Sequence, residues 1–330
     1  MEKKKVILDV DTGSDDAIAI MTAVLSEQLD VVGITTVNGN RPVDNTTENT
    51  LRVLDLLKSD IPVYRGCEEP MTAGLLPERQ MFRRTKDTEF VDGKEVTYHH
   101  EYLDELPPAV SRPQDQAAVR YLIETLLNSQ GDITIIAVGP LTNIGTALRA
   151  DPRIAGKIKE MVIMGGGRLQ TNTTSAAEFN IWKDPEAAQI VMTSGCKILL
   201  VPLDATHRAY VGAEESRKFR EMKTPVGKAV ADLLDARIEA YDLMQPIEGA
   251  PYGTTPPHDA LAVCAAIDDT VLKDVRLCRV DVDCGGSWAD GMTIVDPRVR
   301  TDRPKNVYMA FDADREKFVH MLFEILGKRG

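Results

Sequence analysis

The chain has 330 residues, 43% of them hydrophobic, which is ample for a large core in one or two domains. A net charge of −12 with no basic block argues against a nucleic-acid groove or an anionic membrane surface as partner. Met1-Glu2-Lys3-Lys4-Lys5 opens like a signal sequence, but Asp9 and Asp11 interrupt the apolar run, and no segment approaches the ~20 apolar residues of a membrane span.

The first predicted element is a strand over residues 6–10, around whose end Asp9, Asp11, Asp15 and Asp16 fall within eight residues. Held close and ionised, these carboxylates repel, because each makes ionisation of its neighbour costlier. A bound divalent cation removes that cost, and an all-oxygen shell suits calcium or magnesium. Side chains alternate along a strand, so Asp9 and Asp11 are expected on the same side. Thr12-Gly13-Ser14 reads as a tight turn, with Ser14 capping a helix over 15–27 whose dipole favours Asp15 and Asp16 in its first turn. A capped helix alone explains Asp15 and Asp16 but not Asp9 and Asp11. Convergence of carboxylates outside the strand's carboxyl end explains more of the pattern.

Further strands are predicted over 31–36, 62–64, 133–138, 160–164 and 197–201, alternating with helices over 43–58, 115–128, 141–150 and 184–194. That order implies βαβ units and an α/β fold: an open, mainly parallel sheet flanked by helices, with ligands bound outside the carboxyl ends of the strands. Residues 67–113 mix Pro, Gly, Arg and acidic side chains without periodicity, and a loop of that length reads as an active-site flap. Residues 212–268 read as mostly helical, 275–283 and 292–295 as strands, and 313–326 as a closing amphipathic helix. With no low-complexity linker and no repeat, 1–330 reads as a single domain carrying an irregular flap at 67–113 and a helical insertion at 212–268. Cys67, Cys196, Cys264, Cys278 and Cys284 lack Cys-x-x-Cys spacing, so they read as reduced, buried thiols of a soluble cytoplasmic protein.

Polar clusters recur at the predicted strand ends. Thr35-Thr36-Val37-Asn38-Gly39-Asn40 is a turn signal whose Asn40 amide can also bond a hydroxylated ligand. Val138-Gly139-Pro140-Leu141-Thr142-Asn143 can aim the Val138 carbonyl at a hard cation, although Thr142 and Asn143 are equally explained as caps. Met164-Gly165-Gly166-Gly167 lacks the Lys-Ser/Thr ending of a nucleotide P-loop and permits close backbone approach to a small ligand. Asn172, Glu178 and Asn180 then offer three ligand-capable side chains in one polar loop. In Pro257-His258-Asp259, Asp259 is an apt helix cap or a further metal ligand, and His258 is suited to serve a leaving group near neutral pH. Gly-x-Ser-x-Gly, His-Glu-x-x-His and Gly-x-Gly-x-x-Gly are all absent, against a serine hydrolase, a zincin and a dinucleotide enzyme.

Taken in order, these clusters resemble the nucleoside hydrolase family, the inosine–uridine-preferring N-ribohydrolases. The family's Asp-x-Asp-x-Gly-x-Asp-Asp-Ala matches Asp9 to Ala17, its Thr-Thr-Val-x-Gly-Asn matches Thr35 to Asn40, and its Gly-Pro-Leu-Thr-Asn matches Gly139 to Asn143. Met-Gly-Gly-Gly, Ala-Glu-Phe-Asn with Asp-Pro-Glu-Ala-Ala, and His-Asp-Ala match at 164–167, 177–180, 184–188 and 258–260, so the likeness spans about residues 6–296. The resemblance implies a Rossmann-related α/β core and calcium-dependent hydrolysis of the N-glycosidic bond of ribonucleosides. It implies Ca2+ held by Asp11, Asp16, Asp259 and the Val138 carbonyl. Ribose would contact Asp15, Asn40, Met164, Asn172, Glu178 and Asn180; Asp11 would be the general base, and His258 would assist departure of the nucleobase. Homodimers or homotetramers are implied as well.

The sequence departs from the family at Thr12 and Ser14, where Pro and an apolar residue are usual. At Ala289-Asp290-Gly291-Met292-Thr293 the family has Thr-Arg-Gly-x-Thr, and His99-His100-Glu101-Tyr102-Leu103-Asp104 stands near the place of its His-Gly-x-Asp-Gly-Leu-Gly loop. The ribose and metal end therefore matches and the base-facing flap does not, which leaves the preferred base open. Two alternatives use the same residues. A haloacid-dehalogenase-like phosphatase also begins with a strand and Asp-x-Asp, but expects Thr or Val at Gly13 and leaves His258-Asp259 unexplained. A non-catalytic ribose or nucleoside binder would keep the metal shell and lose turnover.

Overall fold

The computed structural model describes residues 3–76, 88–91, 93–97, 99–245, 247, 249–300 and 302–328. Its strands are β1 (Lys4–Val10), β2 (Leu29–Thr36), β3 (Val63–Arg65), β4 (Thr88–Val91), β5 (Lys94–Thr97), β6 (Ile133–Ala137), β7 (Ile158–Met164), β8 (Ile198–Val201), β9 (Val211–Gly212), β10 (Thr254–Thr255), β11 (Leu272–Val282), β12 (Thr293–Asp296) and β13 (Val307–Ala313). The α-helices are α1 (Ser14–Leu25), α2 (Val43–Leu57), α3 (Ala118–Asn128), α4 (Thr142–Ala150), α5 (Phe179–Lys183), α6 (Pro185–Met192), α7 (Leu203–Thr206), α8 (Ala213–Glu221), α9 (Pro225–Met244), α10 (His258–Ile267) and α11 (Arg315–Leu326).

Nine strands form one sheet in the order β12-β11-β13-β8-β7-β6-β1-β2-β3. From β3 through β13 neighbours run parallel, and β11 is antiparallel to both β13 and β12. The expected mainly parallel α/β sheet is therefore what the chain forms. Its central strands are continuous apolar runs because both faces are covered. Alternation sorts them: Leu8 and Ile136 enter the core under α1, α2, α9, α10 and α11, whereas Ile7 and Ile135 enter the core under α3, α4 and α6.

The chain builds outward from β1 to β2 and β3, then returns to lay β6, β7 and β8 on the other side. Strand order reverses between β1 and β6, which are paired through Asp9 and Ala137. Such a reversal splays the loops leaving adjacent strands and opens a crevice at their carboxyl ends.

Three expectations change. β13 falls partly in the span expected to begin the last helix; it lies between β8 and β11, and α11 starts only at Arg315, after Asp314 caps it through the Lys317 amide at 3.1 Å. The aperiodic stretch 67–113 contains the β4–β5 hairpin, while residues 77–87, 92 and 98 of the expected flap lie outside the described residues. All five cysteines are free, but Cys67 and Cys284 are only half-buried. Among the described residues no helix is long and apolar enough to cross a membrane.

Candidate active site

The crevice is built from the loop between β1 and α1. Gly13 is the N-cap of α1 in extended backbone, so Ser14 lies inside the helix and does not cap it, contrary to expectation. The Asp16 carboxylate does that work, accepting the Gly13 amide at 3.0 Å and the Asp11 amide at 3.1 Å. Ser14 Oγ instead accepts a bond from Arg237 Nη1 at 3.0 Å.

Asp11 lies just beyond β1, wedged between two turns. Its Oδ2 accepts the Asn40 amide at 2.7 Å. A Cβ on Gly39 would lie 2.0 Å from Oδ2, and one on Gly139 would lie 2.6 Å from Oδ1. These two glycines are therefore steric requirements of the Asp11 carboxylate, one after β2 and one after β6.

Asp259 reaches the crevice from the first turn of α10. The cap there is Pro257 with no side-chain bond, so Asp259 is not the cap the sequence reading allowed, and its carboxylate is turned to the cluster instead. Asp15, Asp16 and Asp259 are buried, with one carboxylate oxygen of each within 4.8 Å of the others. Burial pushes the Asp16 carboxyl up to about 7, with the charge of Asp15 adding to it. Burial raises Asp11 and Asp259 well above the ordinary range too, reinforced by Asp16 and by Asp15 respectively. The buried cation beside them is Arg237, whose Nη1 lies 3.0 Å from Asp15 Oδ1. Buried, mutually repelling all-oxygen donors are what a hard divalent cation relieves, so the residues fit such an ion.

Asp9 stands apart from this cluster, because β1 ends before Asp11 and the two do not share partners. Its Oδ1 accepts Thr35 Oγ1 at 2.5 Å and Asn143 Nδ2 at 2.8 Å, and burial pushes its carboxyl up to about 6. Asn143 also donates to the Thr36 carbonyl at 2.9 Å and accepts the Cys67 amide at 2.9 Å. Asn143 thus braces the ends of β1 and β2 and the loop after β3; α4 is capped at Leu141 without a side-chain bond.

On the other wall, Asn180 Nδ2 donates to the Val138 carbonyl at 2.8 Å and to the Met164 carbonyl at 3.3 Å, joining three of the expected residues. Glu178 is the N-cap of α5 and also accepts the Gly166 amide at 2.7 Å, which fixes the glycine-rich turn after β7. Asn40 joins the acidic side, its Nδ2 lying 3.2 Å from the Asp11 carbonyl and 3.3 Å from Asp16 Oδ2. Asn172 is tied to the start of α5, its Oδ1 accepting the Phe179 amide at 2.9 Å, rather than to the acidic cluster.

His258 is buried with both ring nitrogens engaged: Nδ1 with Thr206 Oγ1 at 2.6 Å and Nε2 with Tyr241 Oη at 2.6 Å. Burial holds its pKa well below the ordinary value, helped by His207 and Arg237, so the ring is neutral. Thr206, Arg237 and Tyr241 escaped the sequence reading. Arg237 and Tyr241 lie one turn apart on α9, but Lys228, Asp232, Asp235, Glu239 and Asp242 share that helix, so the i, i+4 pair carries no distinctive signal in the sequence. Over the opening sits His99, just past β5: a Cβ on Gly13 would come 2.6 Å from its Nδ1, and the Arg41 guanidinium donates to its carbonyl.

A sequence model of the inosine-uridine preferring nucleoside hydrolase family matches residues 6–320. The chain is 38% identical over 323 residues to a pyrimidine-specific ribonucleoside hydrolase RihA of Salmonella arizonae, covering 97% of each. A RihA of Escherichia coli is 36% identical over the same coverage. Among solved structures, a plant nucleoside hydrolase superposes with a TM-score of 0.85 at 30% identity, over 99% of this chain and 100% of that one. A purine-preferring ribonucleoside hydrolase from Gardnerella vaginalis gives 0.84 at 30% identity, over 98% of each chain. The phosphatase alternative falls with these matches, and Asp9, the first aspartate of the Asp-x-Asp it shares, is a buried brace. The chain belongs to the inosine–uridine-preferring nucleoside hydrolase family, hydrolases that act on N-glycosyl bonds of ribonucleosides.

Proposed function

We propose that this hydrolase releases ribose and a free nucleobase in a calcium-dependent reaction, with Asp11, Asp16, Asp259 and the Val138 carbonyl holding the ion. The observation that carries the proposal is the buried convergence of Asp15, Asp16 and Asp259 beside the wedged carboxylate of Asp11. Bound there, the cation offsets the carboxylates' repulsion, polarises water and gives ribose hydroxyls a fixed partner.

Asp11 is the general base. It is held on three sides and has its proton affinity raised by burial, so it takes a proton from the attacking water as oxygen approaches the anomeric carbon. Asp15, Asn40, Glu178 and Asn180 bond the ribose, with Met164 against the sugar face and Asn172 at its rim. The ring of carboxylates and amide oxygens stabilises positive charge developing at the anomeric carbon. His258 acts through its neighbour: with both nitrogens occupied, a proton reaches the departing base from the Tyr241 hydroxyl, which the Thr206–His258 pair resupplies. Ribose and base are salvage products, and the expected homodimer or homotetramer is read by light scattering.

The test is a reducing-sugar assay on inosine, uridine, cytidine, adenosine and guanosine, with EDTA and with added calcium or magnesium. Calcium-restored ribose release is expected, and Asp11→Ala is expected to lower it by ~10²–10⁴. Ribose release by Asp11→Ala within tenfold of wild type refutes the role given to Asp11. A metal-bound protein that releases no ribose from any of the five refutes the proposed ribonucleoside reaction.

A further inference from the structure

We propose that Arg237 is a specificity residue for the leaving base: it donates to a carbonyl oxygen adjacent to the glycosidic nitrogen and so favours bases that depart as a delocalised anion. This rests on the hydrolase reading of the same site.

Arg237 is only 4% exposed, an unusual place for a guanidinium. Its Nη1 bonds Ser14 Oγ and Asp15 Oδ1, each at 3.0 Å, and its Nη2 bonds the Pro256 carbonyl at 3.1 Å. Its Nε, also buried, makes no hydrogen bond with the described residues. An orphaned charged donor costs too much to be left without a partner in the working complex. The same side chain lines a cleft with Gly13, Ser14, Thr97, His99 and Leu233, directly beside Asp15. It also lies over the Tyr241 ring, 5.4 Å from the ring centre. Arg237 thus stands between the ribose-facing carboxylate and the hydroxyl that serves the base. In the proposed complex the base of a ribose held at Asp15 lies toward that cleft, whose apolar wall includes Leu233 and whose cationic wall is Arg237.

The chemistry follows from where the electrons go. As water oxygen bonds to the anomeric carbon, its proton passes to Asp11 and the carbon–nitrogen bond breaks with its electron pair on the base. In a pyrimidine-2-one that pair is shared between N1 and the adjacent carbonyl oxygen, which gains charge only as the bond breaks. A guanidinium donor at that oxygen therefore bonds the transition state more strongly than the ground state. The base then takes its proton from Tyr241 or solvent. A purine carries no oxygen next to its glycosidic nitrogen and draws no such benefit.

The measurement is kcat/KM of the calcium-loaded protein for uridine, 5-fluorouridine and inosine, in wild type, Arg237→Gln and Arg237→Lys. Wild type is expected to favour uridine over inosine by at least tenfold. Arg237→Gln is expected to lose about 10²–10³ on uridine, mainly in kcat. It should lose less on 5-fluorouridine, whose base is the better anion, and least on inosine; Arg237→Lys should recover part of the loss. Equal losses on all three substrates would mean that Arg237 only holds Asp15, and would overturn the proposal. Should both variants fail to fold, the wild-type ratio still decides, because an inosine preference overturns it alone. Failure to release ribose from any substrate would instead refute the hydrolase reading on which the proposal stands.

Discussion

Gly39→Ala tests whether the catalytic geometry is as tight as the packing around Asp11 requires. The added Cβ would lie 2.0 Å from Asp11 Oδ2 and 2.7 Å from its Cγ, well over an ångström inside van der Waals contact. Asp11 has little room to retreat, because the space beside Oδ1 at Gly139 would not admit even a Cβ and the Asn40 amide holds Oδ2 at 2.7 Å. Gly39 does not have a positive φ, so alanine suits its backbone and the perturbation is almost purely steric. A misplacement of ~1 Å in a catalytic group costs on the order of 10² in rate, equivalent to about 2.7 kcal/mol of barrier. Overpacking costs about 1–3 kcal/mol of stability, a melting shift of a few degrees. We therefore expect kcat for ribose release at saturating calcium and nucleoside to fall at least ~10²-fold in a protein that still folds. Gly156→Ala, where a Cβ would meet nothing within 4 Å, is the control. A Gly39→Ala enzyme with kcat within threefold of wild type and an unchanged melting temperature would refute the reasoning.

Other predictions follow from the same site. The folded-state pKa values of Asp9 and Asp16, raised to about 6 and about 7 from 3.8, mean that metal-free protein holds these protons more tightly than the unfolded chain. Their stabilising effect is complete below the unfolded value and is lost as pH rises through 6 and 7, so the melting temperature in EDTA should fall from pH 5 to pH 8. Calcium at 100 times its Kd should add about 2.7 kcal/mol and flatten that slope; a calorimetric profile unchanged by calcium would count against the metal site. Tyr241→Phe removes the hydroxyl bonded to His258 Nε2, and kcat for a poor leaving group should fall ~10²–10⁴ with little change in calcium affinity. An equal fall for nitrophenyl riboside, which needs no proton, would assign Tyr241 a structural role. Asn143→Ala removes one donor each from Asp9 and the Thr36 carbonyl and the acceptor of the Cys67 amide, and should cost about 1–3 kcal/mol in urea unfolding; a cost under 0.5 would show that water replaces the brace.

Much of the site was legible because its residues cluster just past strand ends, where an α/β sheet binds ligands. Asp11, Asn40, Val138 and Met164 could each be placed from an apolar run followed by a polar or glycine turn. Function within a helix left a weaker trace. Tyr241 and Arg237 lie in the long amphipathic α9, where a tyrosine reads as core and an arginine as one more charge of the solvated face, and only packing shows both buried beside the acids. Caps were read by residue type and failed when geometry chose otherwise: Asp16 reached back across Gly13, while Asp259 and Asn143 were spent on tertiary contacts. β13 eluded alternation because Met309 and Ala310 are buried in succession. Tyr308 is exposed while Phe311 and Asp312 are both half-buried, so neither face of that strand sets a period of two.

The position of β13 also sets the order in which the fold can be completed. The parallel core from β3 to β8 is encoded by residue 201, yet the strand that covers β8 begins at Val307. During synthesis at ~5–20 residues per second, the outer edge of β8 waits on the order of ten seconds for its partner. Over that interval Ile198–Val201 presents unpaired backbone groups on an apolar strand, a template for pairing with another nascent chain. Premature termination before residue 307 should therefore yield insoluble protein even though every residue of the candidate active site has already been made.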